Sequence, residues 1–182
     1  VNEKVDDSEN FETIIKDKVV MVTGAGGSIG SILSKQVLKE KPSKLILIDN
    51  SEIALFKIIS TLKKFNSNIE IIPRLINISD YNAIKSITKE YKINTVYHAA
   101  AYKHVNILES EIKSAIVNNI IGTYNLLLAC DNSGIDKFVM ISTDKAATPT
   151  TVMGKTKKFC ELIVEYFNKK NKDAAFLSVR FG

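Results

Sequence analysis

What this chain lacks narrows the field first. It has two Cys, three Pro and eight Gly in 182 residues, and no Trp. Two Cys cannot make a disulfide framework, so the chain reads as one made in a reducing, cytoplasmic compartment. So little Gly and Pro excludes collagen-like and low-complexity architectures. No apolar run approaches the roughly 18–20 residues that a membrane span needs. The start of the chain, Val1 to Asn10, is polar and acidic, unlike a signal peptide. Arg74 and Arg180 are the only arginines, and the Lys residues that supply the rest of the net charge of +5 are scattered. A nucleic-acid surface would gather Arg and Lys on one element with aromatics between them. No nucleic-acid partner is therefore expected, although a mild positive field would draw in an anionic substrate.

What is present is an average soluble composition, 45% hydrophobic and 25% charged, which argues against disorder. The length suits one domain with a real core. Short apolar runs recur at Val19 to Val22, Leu45 to Ile48, Ile69 to Ile72, Thr95 to Tyr97, Phe138 to Ile141 and Ala175 to Val179. They are apolar at consecutive rather than alternating positions, which is how a strand buried on both faces reads. Between them lie segments with helical period, the longest running from Ile112 to Leu128 and the last carrying Phe159, Leu162, Ile163, Tyr166 and Phe167. Ser51 and Ser79-Asp80 look like helix starts. Pro42-Ser43 and Ser133-Gly134 look like breaks. Strand and helix alternate throughout, which predicts a doubly wound α/β fold with a parallel sheet over residues 18–182. Residues 1–17 carry no strand signal and read as a tail or short helix.

Thr23-Gly24-Ala25-Gly26-Gly27-Ser28-Ile29-Gly30 follows the first strand and opens the first helix. Gly at this spacing permits a sharp turn, close backbone approach to a pyrophosphate and tight strand–helix packing. Amides at the helix start would then hold the phosphate charge. The second strand ends in Asp49, where a carboxylate suits the ribose hydroxyls of NAD and repels the 2′-phosphate of NADP. His98, at the end of the fourth strand, reads as a satisfied buried histidine, and the small residues Ala99, Ala100 and Ala101 after it leave room for a ligand.

At this point the residues resemble a known family. The glycine turn, Ala99 to Val105, Asn118 to Thr123, Ile141 to Ala146 and Val152 to Lys157 are similar to extended short-chain dehydrogenases, and more narrowly to nucleotide-sugar 4,6-dehydratases. The nearest resemblance is to the UDP-N-acetylglucosamine 4,6-dehydratase branch, often membrane-attached, in surface polysaccharide or glycan biosynthesis. It implies a Rossmann-type NAD-binding domain whose Gly24, Gly27, Ser28, Ile29, Gly30, Asp49, Asn50, Ile78, Ala99, Ala100, Ala101 and Lys157 hold the cofactor. It implies a reaction in which hydride leaves sugar carbon 4, water is lost across carbons 5 and 6, and hydride returns to carbon 6. No metal is implied. Lys103, His104 and Asn118 are the expected substrate contacts. A homo-oligomer is implied, formed through the long helix and the last one, in the cytoplasm or on the cytoplasmic side of an inner membrane.

Elimination needs a base for the carbon 5 proton and an acid for the carbon 6 hydroxyl. By resemblance, Asp144 is the acid and Lys145 the base. To work near neutral pH, Asp144 must titrate higher and Lys145 lower than usual, which burial under a substrate would achieve. The family's Tyr-x-x-x-Lys pair reads Met153 and Lys157 here. A thioether cannot carry a proton, so Thr143, a bound water or Lys157 itself must handle the carbon 4 proton, with Thr143 and a water the first expectation. Two rival readings remain: a nucleotide-sugar 4-epimerase of the same fold, and a non-catalytic dinucleotide sensor or scaffold. By family standards 182 residues are too few. The C-terminal part that grips the uridine and sugar is expected to be missing, leaving a chain that binds NAD but turns over poorly.

Overall fold

The computed structural model describes residues 15–65 and 68–181. Strands β1 (Val19–Thr23), β2 (Lys44–Asp49), β3 (Glu70–Leu75), β4 (Thr95–His98), β5 (Lys137–Thr143) and β6 (Ala175–Phe181) form one sheet in the order β3-β2-β1-β4-β5-β6. Every pairing is parallel. Helices α1 (Ser28–Lys39), α2 (Glu52–Leu62), α3 (Tyr81–Tyr91), α4 (Val105–Ser110), α5 (Ile112–Ala115), α6 (Gly122–Asp131) and α7 (Val152–Lys170) supply the crossovers. This is the doubly wound fold that the alternating pattern predicts.

The consecutive apolar positions have a direct cause. Side chains alternate between sheet faces. Val20, Val22, Leu45 and Leu47 therefore enter one core with Val37 and Leu38 of α1 and Leu55, Ile58 and Leu62 of α2. Their neighbours Met21, Ile46 and Ile48 enter the opposite core with Ile84 and Ile87 of α3, Leu126 and Leu127 of α6, and Val164 and Phe167 of α7. β3 lies at the sheet edge, which lets it run through Pro73 where a central strand would lose a ladder bond. On β6 only Phe176 is buried, while Leu177, Val179 and Phe181 are 44%, 42% and 47% exposed.

Helix starts follow the capping residues. Ser51 Oγ accepts from the Ala54 amide at 3.3 Å, Asp80 Oδ1 from Ala83 at 3.0 Å and Thr151 Oγ1 from Gly154 at 3.1 Å. The long helix expected from Ile112 to Leu128 is interrupted: a π-helical turn, Ile116–Ile121, separates α5 from α6. Both Asn118 and Asn119 on this wider turn are buried. Most of the expected N-terminal tail or helix, residues 1–14, lies outside the described residues. Ile15 is buried in the α1–α2 core, and Asp17, at φ +61°, turns the chain into β1.

Candidate active site

The strand order reverses between β1 and β4, whose last residues Thr23 and His98 are register partners. A crevice opens at that reversal in folds of this type. His98 is fully buried between two hydroxyls, Thr23 Oγ1 at 2.7 Å from Nδ1 and Thr123 Oγ1 at 2.9 Å from Nε2. Burial, with the nearby Lys157 charge second, pushes its pKa down to about 3, so it is a neutral structural group that ties β1, β4 and α6 together below the crevice.

The glycine turn forms one rim. Gly24 has φ +64°, and a Cβ there would lie 2.6 Å from the Ala100 amide nitrogen. A Cβ on Gly30 would lie 2.0 Å from the Gly24 carbonyl oxygen. No side chain caps α1 at Gly27, so the amides of its first turn remain available to an anion. Asp49 stands across the turn and is 9% exposed. Its Oδ2 accepts from the Gly26 amide and its Oδ1 from the Ser51 amide, both at 2.9 Å. Each oxygen retains a lone pair for another donor. A cavity of about 200 Å³ lies here, walled by Gly24, Gly26, Gly27, Ile48, Asp49, Asn50, Ile76, Ile78, Ala99, Ala100, Ala101, Tyr102 and Asn118, among others.

A second cavity of about 390 Å³ continues past the α1 start. Gly27, Ser28, Ile29, Gly30, Ala99, Ala101 and Lys103 meet Ser142, Thr143, Asp144, Lys145, Met153, Lys157 and Phe181 along it. Lys157 is 8% exposed and donates to the Ile141 carbonyl at 2.8 Å. Burial draws its ammonium below the ordinary lysine range, with Cys160 and Glu161 acting in the opposite sense. Met153, one helical turn earlier, is buried against Leu108 and Ala115 while also lining the cavity. Lys103 bonds Ser28 Oγ at 3.1 Å across the mouth. His104 stands apart, lining a neighbouring cavity of about 570 Å³ with Tyr102, Ile107 and Leu108. Asn118 lies on the Asp49 side rather than beside Asp144.

The Asp144–Lys145 pair forms a 3-10 turn with Ala146 just beyond β5. Both side chains are open to solvent, with Lys145 Nζ 3.6 Å from Asp144 Oδ1. In the protein alone the Asp144 carboxyl is shifted downward. The Thr143 hydroxyl donates to its Oδ1 at 2.9 Å and the Lys145 amide at 2.8 Å. Thr143 first, then that amide and the Lys145 charge, hold the carboxyl below its usual range. The upward shift expected of Asp144 is one that burial under a bound substrate would cause, and on its own the Asp144 side chain is 60% exposed.

Three residues at this end were not singled out from sequence. Tyr102 has both backbone groups bonded to the Asn119 amide side chain, at 2.8 and 3.0 Å. Ser142 donates to Glu161 Oε1 at 2.7 Å. Glu161 is held ionised, below the ordinary glutamate range, first by Arg180. A signal for Glu161 was available: it lies one helical turn beyond Lys157 and so shares its face.

The family of polysaccharide biosynthesis proteins matches residues 20–182. This chain belongs to that family. The capsular polysaccharide biosynthesis protein CapD of Staphylococcus aureus is 41% identical over 92% of the chain and 28% of its own length. A UDP-N-acetylglucosamine 4,6-dehydratase (inverting) of Campylobacter jejuni is 32% identical over 91% of the chain and 48% of its own length. UDP-glucose 4-epimerases also occur among the relatives. The X-ray structure of Pen from Bacillus thuringiensis superposes with a TM-score of 0.85 at 32% identity, over 93% of this chain and 53% of that one. The chain thus spans between about a quarter and a half of the length of these proteins. Among the described residues no helix is long and apolar enough to cross a membrane, and no group of three His, Cys, Asp or Glu side chains could hold a metal.

Proposed function

We propose that this chain is the dinucleotide-binding, catalytic part of a longer nucleotide-sugar 4,6-dehydratase that acts on UDP-N-acetylglucosamine with NAD. The observation that carries the reading is a single cavity in which Thr143, Asp144 and Lys145 face Lys157 beside the uncapped start of α1. The relative named as a UDP-N-acetylglucosamine 4,6-dehydratase supports it.

A dinucleotide suits the walls. The turn at Gly24 and Gly30 has no room for side chains, α1 offers amides for a pyrophosphate, and Asp49 keeps acceptor capacity for ribose hydroxyls while repelling a 2′-phosphate. Lys157 would donate to the nicotinamide ribose. Bound NAD would supply a reversible hydride acceptor for sugar carbon 4.

The rest falls to this chain. Thr143 Oγ1 takes the carbon 4 hydroxyl proton as its own proton passes along the existing 2.9 Å bond to Asp144. Asp144, ionised at rest, thereby gains the proton that it gives to the carbon 6 hydroxyl as it leaves as water. Lys145, entering the step as a neutral amine after its ammonium proton passes to solvent on substrate binding, takes the carbon 5 proton and returns it to carbon 5 when hydride comes back to carbon 6. Met153 serves as an apolar wall. The uridine and sugar would be gripped by segments beyond this chain.

A second copy is the proposed partner. Ile112, Ile116 and Tyr124 on one helical stretch, and Phe159, Leu162 and Tyr166 on α7, are each 41–60% exposed. The same patch on a two-fold mate would cover both stripes at once.

Incubating the full-length protein with UDP-N-acetylglucosamine and NAD tests the reading by mass spectrometry. A keto product lighter by one water is expected. An isomer of unchanged mass would make the protein a 4-epimerase, which needs no elimination pair. Cofactor binding with no product at all would make it a sensor or scaffold.

A further inference from the structure

Glu161 lies one helical turn beyond Lys157 on α7 and is 9% exposed, yet it is an ion with several donors. Ser142 Oγ donates to its Oε1 at 2.7 Å. Arg180 Nε donates to the same oxygen at 2.8 Å, and Arg180 Nη2 to Oε2 at 2.6 Å. Lys158 Nζ is 3.9 Å from Oε2 on the outer side. Ser142 and Arg180 are register partners across β5 and β6. One carboxylate therefore fastens the same rung of two neighbouring strands to the helix that carries Lys157. The forked Arg–carboxylate geometry resists rotation as well as separation.

The next rung is Thr143 with Phe181, and both line the cavity with Asp144 and Lys157. It stands about 3.3 Å further on. Fixing Ser142 and Arg180 thus sets where the Thr143 hydroxyl sits relative to Lys157. Without Glu161, the ends of β5 and β6 would be held to α7 by Lys157 and Ile141 alone among the bonds described at this end.

We propose that Glu161 is a positioning residue: through Ser142 and Arg180 it holds Thr143 in register with Lys157. This rests on the dehydratase reading for the step it serves, though not for the geometry it sets.

The test uses full-length protein with Glu161→Gln, Ser142→Ala and the double variant. Gln keeps the size of the side chain but cannot accept from both partners as an anion. Displacements of about 1 Å at a reacting group cost up to about 100-fold in rate. Glu161→Gln is expected to lower kcat by about 10-fold or more, with KM for the sugar nucleotide within about 3-fold, and to weaken NADH binding, read by nicotinamide fluorescence. Ser142→Ala should reproduce part of the loss, and the double variant should be no worse than Glu161→Gln, because the two act as one unit. Wild-type kcat and NADH affinity in Glu161→Gln would overturn the proposal. So would a loss that tracks the unfolded fraction and disappears on cooling, since that is a stability effect alone. If wild-type protein binds NADH but yields no keto product, the functional reading fails instead. Glu161 is then decided on NADH affinity and the non-additivity of the two substitutions.

Discussion

Lys157 donates to the carbonyl oxygen of Ile141, 2.8 Å away, with 8% of its surface exposed. Burying a charge in such a place costs folding energy, because a carbonyl only partly replaces the water that the ammonium gives up. Its folded pKa is lowered, chiefly by burial. The unfolded chain therefore holds that proton more tightly, and the penalty is complete below the folded pKa and relieved as pH rises through it toward the ordinary lysine value. Lys157→Met, of similar length and apolar, is expected to melt at or above the wild-type temperature while binding NADH at least about 10-fold more weakly, the scale of a lost charged hydrogen bond. Calorimetry and fluorescence titration check the two halves. Lower stability with unchanged affinity would show a purely structural lysine.

His98 predicts an acid sensitivity. Its folded pKa near 3 lies below the ordinary 6.5. Below pH 6.5 the unfolded chain takes up a proton that the folded chain refuses. Stability from this group is complete above pH 6.5 and falls, by about 1.4 kcal/mol per pH unit, toward pH 3. Urea unfolding at pH 7, 6, 5 and 4 reads the slope, and NMR of the imidazole should show a neutral ring throughout. A ring titrating near 6.5 would contradict the Thr23–His98–Thr123 bridge.

Asp49 is the cofactor selector in the proposed function. Its carboxylate also holds the Gly26 and Ser51 amides. Asp49→Asn leaves one of these donors without an acceptor and removes the charge that repels a 2′-phosphate. NADH binding should weaken about 10-fold, while NADPH binding stays level or improves. Equal losses for both cofactors would show that Asp49 acts only through the loop.

The fold was readable because burial on both sheet faces writes itself into consecutive apolar positions such as Leu45 to Ile48, and because Gly24 and Gly30 mark a turn with no room for side chains. The site was readable where it lies on contiguous residues, as at Thr143 to Lys145. The rest was hidden for physical reasons. Glu161 matters through the pairing of Ser142 with Arg180, and strand register is a property of the sheet, not of any local segment. The π turn at Ile116–Ile121 adds a residue to a helix whose apolar periodicity looks unbroken. The direction of the Asp144 shift depends on cover over the turn and on the orientation of one hydroxyl, neither of which composition reveals.

The Thr143–Asp144 bond divides the proposed reaction into halves that can be separated. Asp144 is ionised in the free protein, held so first by the Thr143 hydroxyl. If it receives its proton from carbon 4 through Thr143, then Thr143→Val and Asp144→Asn both obstruct the first half, and neither should accumulate reduced nicotinamide after mixing with substrate. Lys145→Met leaves that path intact and blocks only removal of the carbon 5 proton, so reduced nicotinamide should build up and persist. All three positions are solvent-facing or at the cavity rim, so melting temperatures should change little. Met153→Tyr, which places a phenol one turn before Lys157, should restore carbon 4 oxidation to Thr143→Val in part. Stopped-flow absorbance of the nicotinamide distinguishes the cases. Rapid build-up in Asp144→Asn at the wild-type rate would break the relay, as would full activity in Thr143→Val.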